Sequence, residues 1–108
     1  MSFDPITAAV DWLDAYRFGD IDAILALYAD DAVVECSCGG LKTIAGEEAL
    51  RAYWLHRLST HRPTELDELS PLPNGVQISY LTGKGSVCAV MEFDAEGQIS
   101  FVRCGPST

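Results

Sequence analysis

Apolar side chains recur every three or four positions near the start of the chain: Ile6, Ala9, Val10, Leu13 and Tyr16, with Asp11, Asp14 and Arg17 between them. That spacing lays one apolar stripe along a helix. Asp4 caps it and Pro5 fills the first helical position, where no amide donor is needed. Gly19 is placed to close it in the left-handed conformation. Asp20 caps a second helix that turns Ile21, Ile24, Leu25 and Tyr28 inward, and Asp30-Asp31 reads as the turn that ends it. Ala32 to Cys38 alternates and is rich in small and β-branched residues, which predicts a strand. Gly39-Gly40 returns it to a second short strand around Leu41 to Ile44. A third helix opens at Gly46, with Glu47 and Glu48 beside its positive end. Its apolar face is Leu50, Tyr53, Trp54 and Leu58.

Beyond Pro63 the period changes to two. Thr64 to Leu72 is an acidic candidate strand, followed by the turn Pro73-Asn74-Gly75. Val76 to Leu81, Ser86 to Phe93 and Gln98 to Cys104 alternate more clearly. Thr82-Gly83-Lys84-Gly85 and Asp94-Ala95-Glu96-Gly97 join them as hairpin turns. Helices first and a strand meander last predict an α+β fold: three helices in the N-terminal half packed on one face of a mostly antiparallel sheet. The 108 residues suit a single domain, 1–108.

Composition narrows the possible partners. Apolar residues make up 48% and charged residues 21%, ordinary proportions for a globular fold. The apolar runs are too short to span a membrane. Met1-Ser2-Phe3-Asp4-Pro5 lacks the basic start and apolar block of a signal peptide, so a cytoplasmic location is expected. A net charge of −9 argues against nucleic acid, whose phosphates such a surface would repel. Cys36, Cys38, Cys88 and Cys104 lie in strand-like apolar surroundings and are expected to be reduced. The Cys36-Ser37-Cys38 spacing does not fit the usual zinc pattern, and no metal or other cofactor is expected.

Three segments carry a family resemblance: Gly19 to Ile24 through Tyr28 to Val33, then Ile44 to Leu50, then Phe93 to Ile99. With the element order they make the chain resemble the nuclear transport factor 2-like superfamily, which includes ketosteroid isomerases, polyketide-cyclase-like proteins, scytalone dehydratase and limonene epoxide hydrolase. The resemblance implies a cone-like curved sheet around an apolar pocket that the helices close. It makes Trp12, Tyr28, Val34, Cys36, Trp54, Ala89, Met91, Val102 and Cys104 the ligand-binding lining. Alternation agrees, placing Val34, Cys36 and Cys38 on one strand face, Val87, Ala89 and Met91 on another, and Ser100, Val102 and Cys104 on a third. The superfamily also implies a homodimer through the outer sheet face, which carries Val33, Cys88 and Val90.

The scaffold hosts many activities, so function must be read from the site. The isomerases use a strand carboxylate as base, with a tyrosine and a protonated acid holding the enolate. Cys36, Trp12 and Ala89 stand at those three positions here, so that chemistry is not expected. No cation lies near Cys36 in sequence to lower its pKa. An Asp-Arg-Asp water site is not formed either, because Arg103 and Glu92 point away from Val102 and Ala89. His56 and His61 lie at or beyond the exposed end of the third helix. The expectation is a small apolar-molecule-binding domain, non-catalytic or weakly catalytic. Two alternatives stand beside it: an isomerase or cyclase-type enzyme using Cys36, Tyr28 or His56, and a homodimerisation module.

Overall fold

A computed structural model describes residues 4–37 and 40–106. Helix α1 (Pro5–Phe18) starts as its sequence dictates: Asp4 Oδ1 accepts from the Ile6 amide at 3.0 Å, and Gly19 at φ 76° closes the other end. Helix α2 (Ile21–Ala26) is capped by Asp20, which accepts from the Ala23 amide. Strands β1 (Tyr28–Cys36) and β2 (Lys42–Ala45) follow, then α3 (Glu47–Thr60) and the meander β3 (Pro63–Leu72), β4 (Gly75–Thr82), β5 (Gly85–Phe93) and β6 (Ile99–Pro106).

The six strands form one sheet in the order β2-β1-β6-β5-β4-β3. Every neighbouring pair is antiparallel except β1 and β6, which run parallel. The expected α+β architecture, with a mostly antiparallel curved sheet against three helices, is the one observed. Helix α1 packs on β3 and β4, while α3 packs on α2 and β2. The core fills the space between, from Ala9, Trp12 and Tyr16 on α1 to Ala89 and Met91 on β5.

Three expectations need correction. Tyr28 is not on the second helix: α2 ends at Ala26 and Tyr28 opens β1. Asp30-Asp31 is not a helix-ending turn but exposed strand, at the place where β1 slips register against β6. A bulge absorbs extra residues without ending a strand, so acidic residues that look like a turn remain in the sheet. Ser100 does not share the face of Val102, because β6 also slips between its pairs with Glu92 and Phe93. The Ser100 hydroxyl donates to the Glu92 carbonyl instead. The proposed place of Cys38 beside Cys36 lies outside the described residues.

Candidate functional site

The interior is built from rings. Trp12 meets Tyr16, Trp54 and Tyr80 edge to face, with centroids 5.5, 5.7 and 5.7 Å apart. Tyr16 meets Trp54 at 4.8 Å, and Tyr28 and Tyr53 reach Trp54 from either side at 6.2 and 5.5 Å. Trp12 Nε1 donates to the Tyr28 hydroxyl at 3.1 Å. Trp54 Nε1 is directed toward the same hydroxyl but has no hydrogen-bond partner, and it is buried. A buried donor left unsatisfied is uncommon and calls for an explanation.

A guanidinium sits inside this aromatic box. Arg57 is only 3% exposed. Its Nε donates to the Tyr16 hydroxyl at 3.2 Å and its Nη2 to the Tyr80 hydroxyl at 3.1 Å. Nη1 points at Cys36 Sγ, 3.6 Å away. The cation also lies 5.9 Å from the Tyr16 ring centre and 5.7 Å from that of Tyr53, in reach of the negative ring faces. Burial pushes the Tyr16, Tyr28, Tyr53 and Tyr80 phenols up, so all four keep their protons at neutral pH. The Cys104 thiol is also pushed up, first by its hydrogen bond with Cys36 and then by burial. Tyr53 Oη lies 3.4 Å from Cys104 Sγ.

At this end of the sheet the charge turns positive. His61 caps the end of α3, and the Tyr16 hydroxyl donates to its carbonyl. Its imidazole is held below the usual histidine value by desolvation, then by Arg57 and Lys84. His61, Thr82, Lys84, Ser86, Val87 and Pro106 line a cavity of about 130 Å³. A smaller cavity of about 80 Å³ lies toward the opposite end, bordered by Tyr28, Asp30, Glu47 and Leu50 among others.

The structure gathers all nine expected lining residues, Trp12, Tyr28, Val34, Cys36, Trp54, Ala89, Met91, Val102 and Cys104, into one buried cluster. Of the three catalytic candidates, Cys36 and Tyr28 belong to it. His56 does not: it is exposed on α3, where its carbonyl accepts from Ser59 and Thr60. The sequence reading leaves out Arg57 and finds no cation for Cys36; α3 supplies that cation across the fold. Spacing could have shown it, since Arg57 falls three residues after Trp54 and seven after Leu50, on the same helix face. No group of three or more metal-ligating side chains occurs among the described residues. None of the described helices is long and apolar enough to cross a membrane.

No functionally curated protein matches the sequence. Among solved structures, a SnoaL-like protein of unknown function from Burkholderia thailandensis is similar, with a TM-score of 0.81 and 23% identity over 96% of this chain and 95% of that one. SalBIII, described as an epoxide hydrolase/cyclase-like enzyme with a role in pyran ring formation in the polyether salinomycin, is similar with a TM-score of 0.72 and 19% identity, over 94% of this chain and 89% of its own. At these identities the likeness is one of fold. The SnoaL-like domain matches residues 9–102, nearly the whole of the helix-and-meander frame, and this chain belongs to that family within the nuclear transport factor 2-like superfamily.

Proposed function

We propose that the chain binds a small, largely apolar molecule of about one ring that carries an acidic or enolisable oxygen, taken up at the basic end of the cone. The observation that carries this reading is the Arg57 guanidinium inside the aromatic interior. A cation in a low-dielectric site attracts negative charge far more strongly than one in water. Held by two phenols, it is also oriented before the ligand arrives. His61 and Lys84 border the cavity of about 130 Å³ beside it, and an apolar cavity of about 150 Å³ is known to accept benzene. Trp12, Tyr28, Val34, Cys36, Trp54, Ala89, Met91, Val102 and Cys104 remain the proposed apolar lining in this reading, packed in the core behind a cavity whose own walls are His61, Thr82, Lys84, Ser86, Val87 and Pro106.

A catalytic form of the same site has one specific observation behind it, the 3.6 Å approach of Arg57 Nη1 to Cys36 Sγ. A neighbouring cation favours the thiolate, and a thiolate is a base. A substrate carbonyl would take its hydrogen bond from Arg57 while Cys36 removes a proton. The fold likeness to SalBIII makes ring closure the natural reaction class for this form.

Fluorescence tests the binding reading directly, because Trp12 and Trp54 are the two tryptophans of the chain and both belong to the aromatic core around Tyr16 and Tyr80, the rings that hold Arg57. Benzoate is expected to quench them at a concentration about tenfold lower than benzamide, a difference of about 1.4 kcal/mol. Arg57→Met should erase that preference. Lys84→Gln, at an exposed position, should weaken benzoate binding two- to threefold without touching the core. Equal binding of acid and amide, or a preference that survives Arg57→Met, overturns the reading.

A further inference from the structure

Cys36 and Cys104 stand directly opposite each other in the parallel pair β1–β6. Neither is in a disulfide, and both face the interior, each 6% exposed. Neighbouring strands run about 4.8 Å apart, and bridged cysteines have Cα atoms about 4.4 to 6.8 Å apart. The register therefore puts the two Cα atoms within the range of bridged cysteines.

Their surroundings are unequal. Arg57 Nη1 is 3.6 Å from Cys36 Sγ, while Tyr53 Oη is 3.4 Å from Cys104 Sγ. A guanidinium beside a sulfur favours its charged form, whereas the Cys104 thiol is pushed up by its hydrogen bond with Cys36 and by burial. A cation beside one sulfur and a neutral phenol beside the other is the arrangement that makes the first the nucleophile and the second its resolving partner.

We propose that Cys36 and Cys104 form an oxidisable dithiol whose oxidant is hydrogen peroxide or a small hydroperoxide. The Cys36 thiolate attacks a peroxide oxygen, the O–O bond breaks, and hydroxide leaves and is protonated by solvent. Cys36 is now a sulfenic acid. Cys104 sulfur attacks Cys36 sulfur, the S–O bond breaks, and the hydroxyl departs as water with the Cys104 proton. Two thiols have lost two electrons, and hydrogen peroxide has been reduced to two waters. The disulfide ties β1 to β6 and takes the thiolate away from Arg57. None of this depends on which ligand the cone accepts.

Cys88 is the internal reference. It is a free thiol, half-buried in the single chain and thus more exposed there than Cys36 or Cys104, so in the single chain exposure alone makes it react first. The reduced protein is treated with an equivalent of hydrogen peroxide, quenched with N-ethylmaleimide, and mapped by peptide mass. The expected product has lost about 2 Da, contains a Cys36–Cys104 linked peptide pair, and reverts with dithiothreitol. In Cys104→Ser the reaction stops at the sulfenic acid, so dimedone should label Cys36 ahead of Cys88. Arg57→Met should slow that labelling by about tenfold and leave Cys88 unchanged. Should Cys104→Ser not fold, the wild-type map still decides. Oxidation first at Cys88, a link that uses Cys38 or Cys88, or two thiols that stay unlinked overturns the proposal.

Discussion

Replacing Arg57 by methionine or Tyr80 by phenylalanine removes one or other end of the same 3.1 Å hydrogen bond, yet the two changes are not equivalent. Arg57→Met takes a desolvated cation out of the core and leaves two neutral phenols, of which Tyr16 still donates to the His61 carbonyl. Tyr80→Phe leaves the cation in place and deletes an acceptor, which costs about 1–3 kcal/mol. Denaturant titrations are expected to show Tyr80→Phe as the more destabilised, with Arg57→Met within about 1 kcal/mol of wild type. The reverse order would mean that Arg57 serves stability rather than the site. His61 gives a pH signature. Its folded pKa lies below the unfolded value of about 6.5, chiefly through desolvation and then Arg57 and Lys84. Between the two values the unfolded chain holds more protons, so stability rises with pH through that window and falls as pH drops below about 6.5. Melting temperatures from pH 5 to 8 should show the slope, and His61→Gln should flatten it. A bound anion at the mouth would offset Arg57 and Lys84, raise the folded value toward the unfolded one and so narrow the window from below.

The elements were legible where local chemistry and packing agree. Helix α1 has its cap, its proline, its stripe and its closing glycine in sequence, and each does in the fold what its type allows. Gly19 is the most demanding of these, since it adopts φ 76° and an added Cβ would meet the Arg62 guanidinium. Gly19→Ala should cost about 1–2 kcal/mol, the penalty of a left-handed backbone for a residue with Cβ. A lower urea midpoint at unchanged m-value is the reading that checks it. The junction of α2 and β1 was less legible. Tyr28 continues the helical stripe of Ile21, Ile24 and Leu25, but a six-residue helix is held by tertiary contacts more than by propensity, and here the sheet claims the residue. Asp30 and Asp31 carry turn chemistry yet stay in β1, because a bulge is a property of two strands and only one is visible locally. Arg57 escaped notice for a related reason. Its position on the α3 stripe was readable, but its partners come from α1, β1 and β4, and a charged residue on an apolar face reads as the edge of the stripe until those elements are assembled.

Across the whole molecule, charge and surface are divided between two faces and two ends. Arg17, Arg57, Arg62 and Lys84 gather with His61 at one end of the cone; the Arg62 guanidinium donates to the Arg17 carbonyl, and Lys84 shares a cavity wall with His61. The chain as a whole carries −9, so this local field attracts anions against a repulsive background, and benzoate affinity should fall as salt shortens the screening length. The second division is between sheet faces. The helices cover the inner face, whereas Val33, Cys88, Val90 and Phe101 remain half-buried on the outer one, with Arg103 lying over Phe101 and paired to Glu35. An antiparallel sheet tolerates one wet face, but this one mixes β-branched and aromatic residues through its centre, as self-complementary interfaces do. If the outer faces meet in the homodimer that the resemblance implies, light scattering should return twice the 11.7 kDa chain mass. Val90 pairs across the sheet with both Gln77 and Arg103, which puts it in the middle of that face. Val90→Glu would set two carboxylates against each other across the two-fold axis, so the variant should run at the mass of one chain with an unchanged far-ultraviolet spectrum. A wild-type protein that runs at one chain mass at tens of micromolar would leave the outer face as ordinary solvated sheet, and would leave the proposed binding reading, which rests on Arg57 in the interior, untouched.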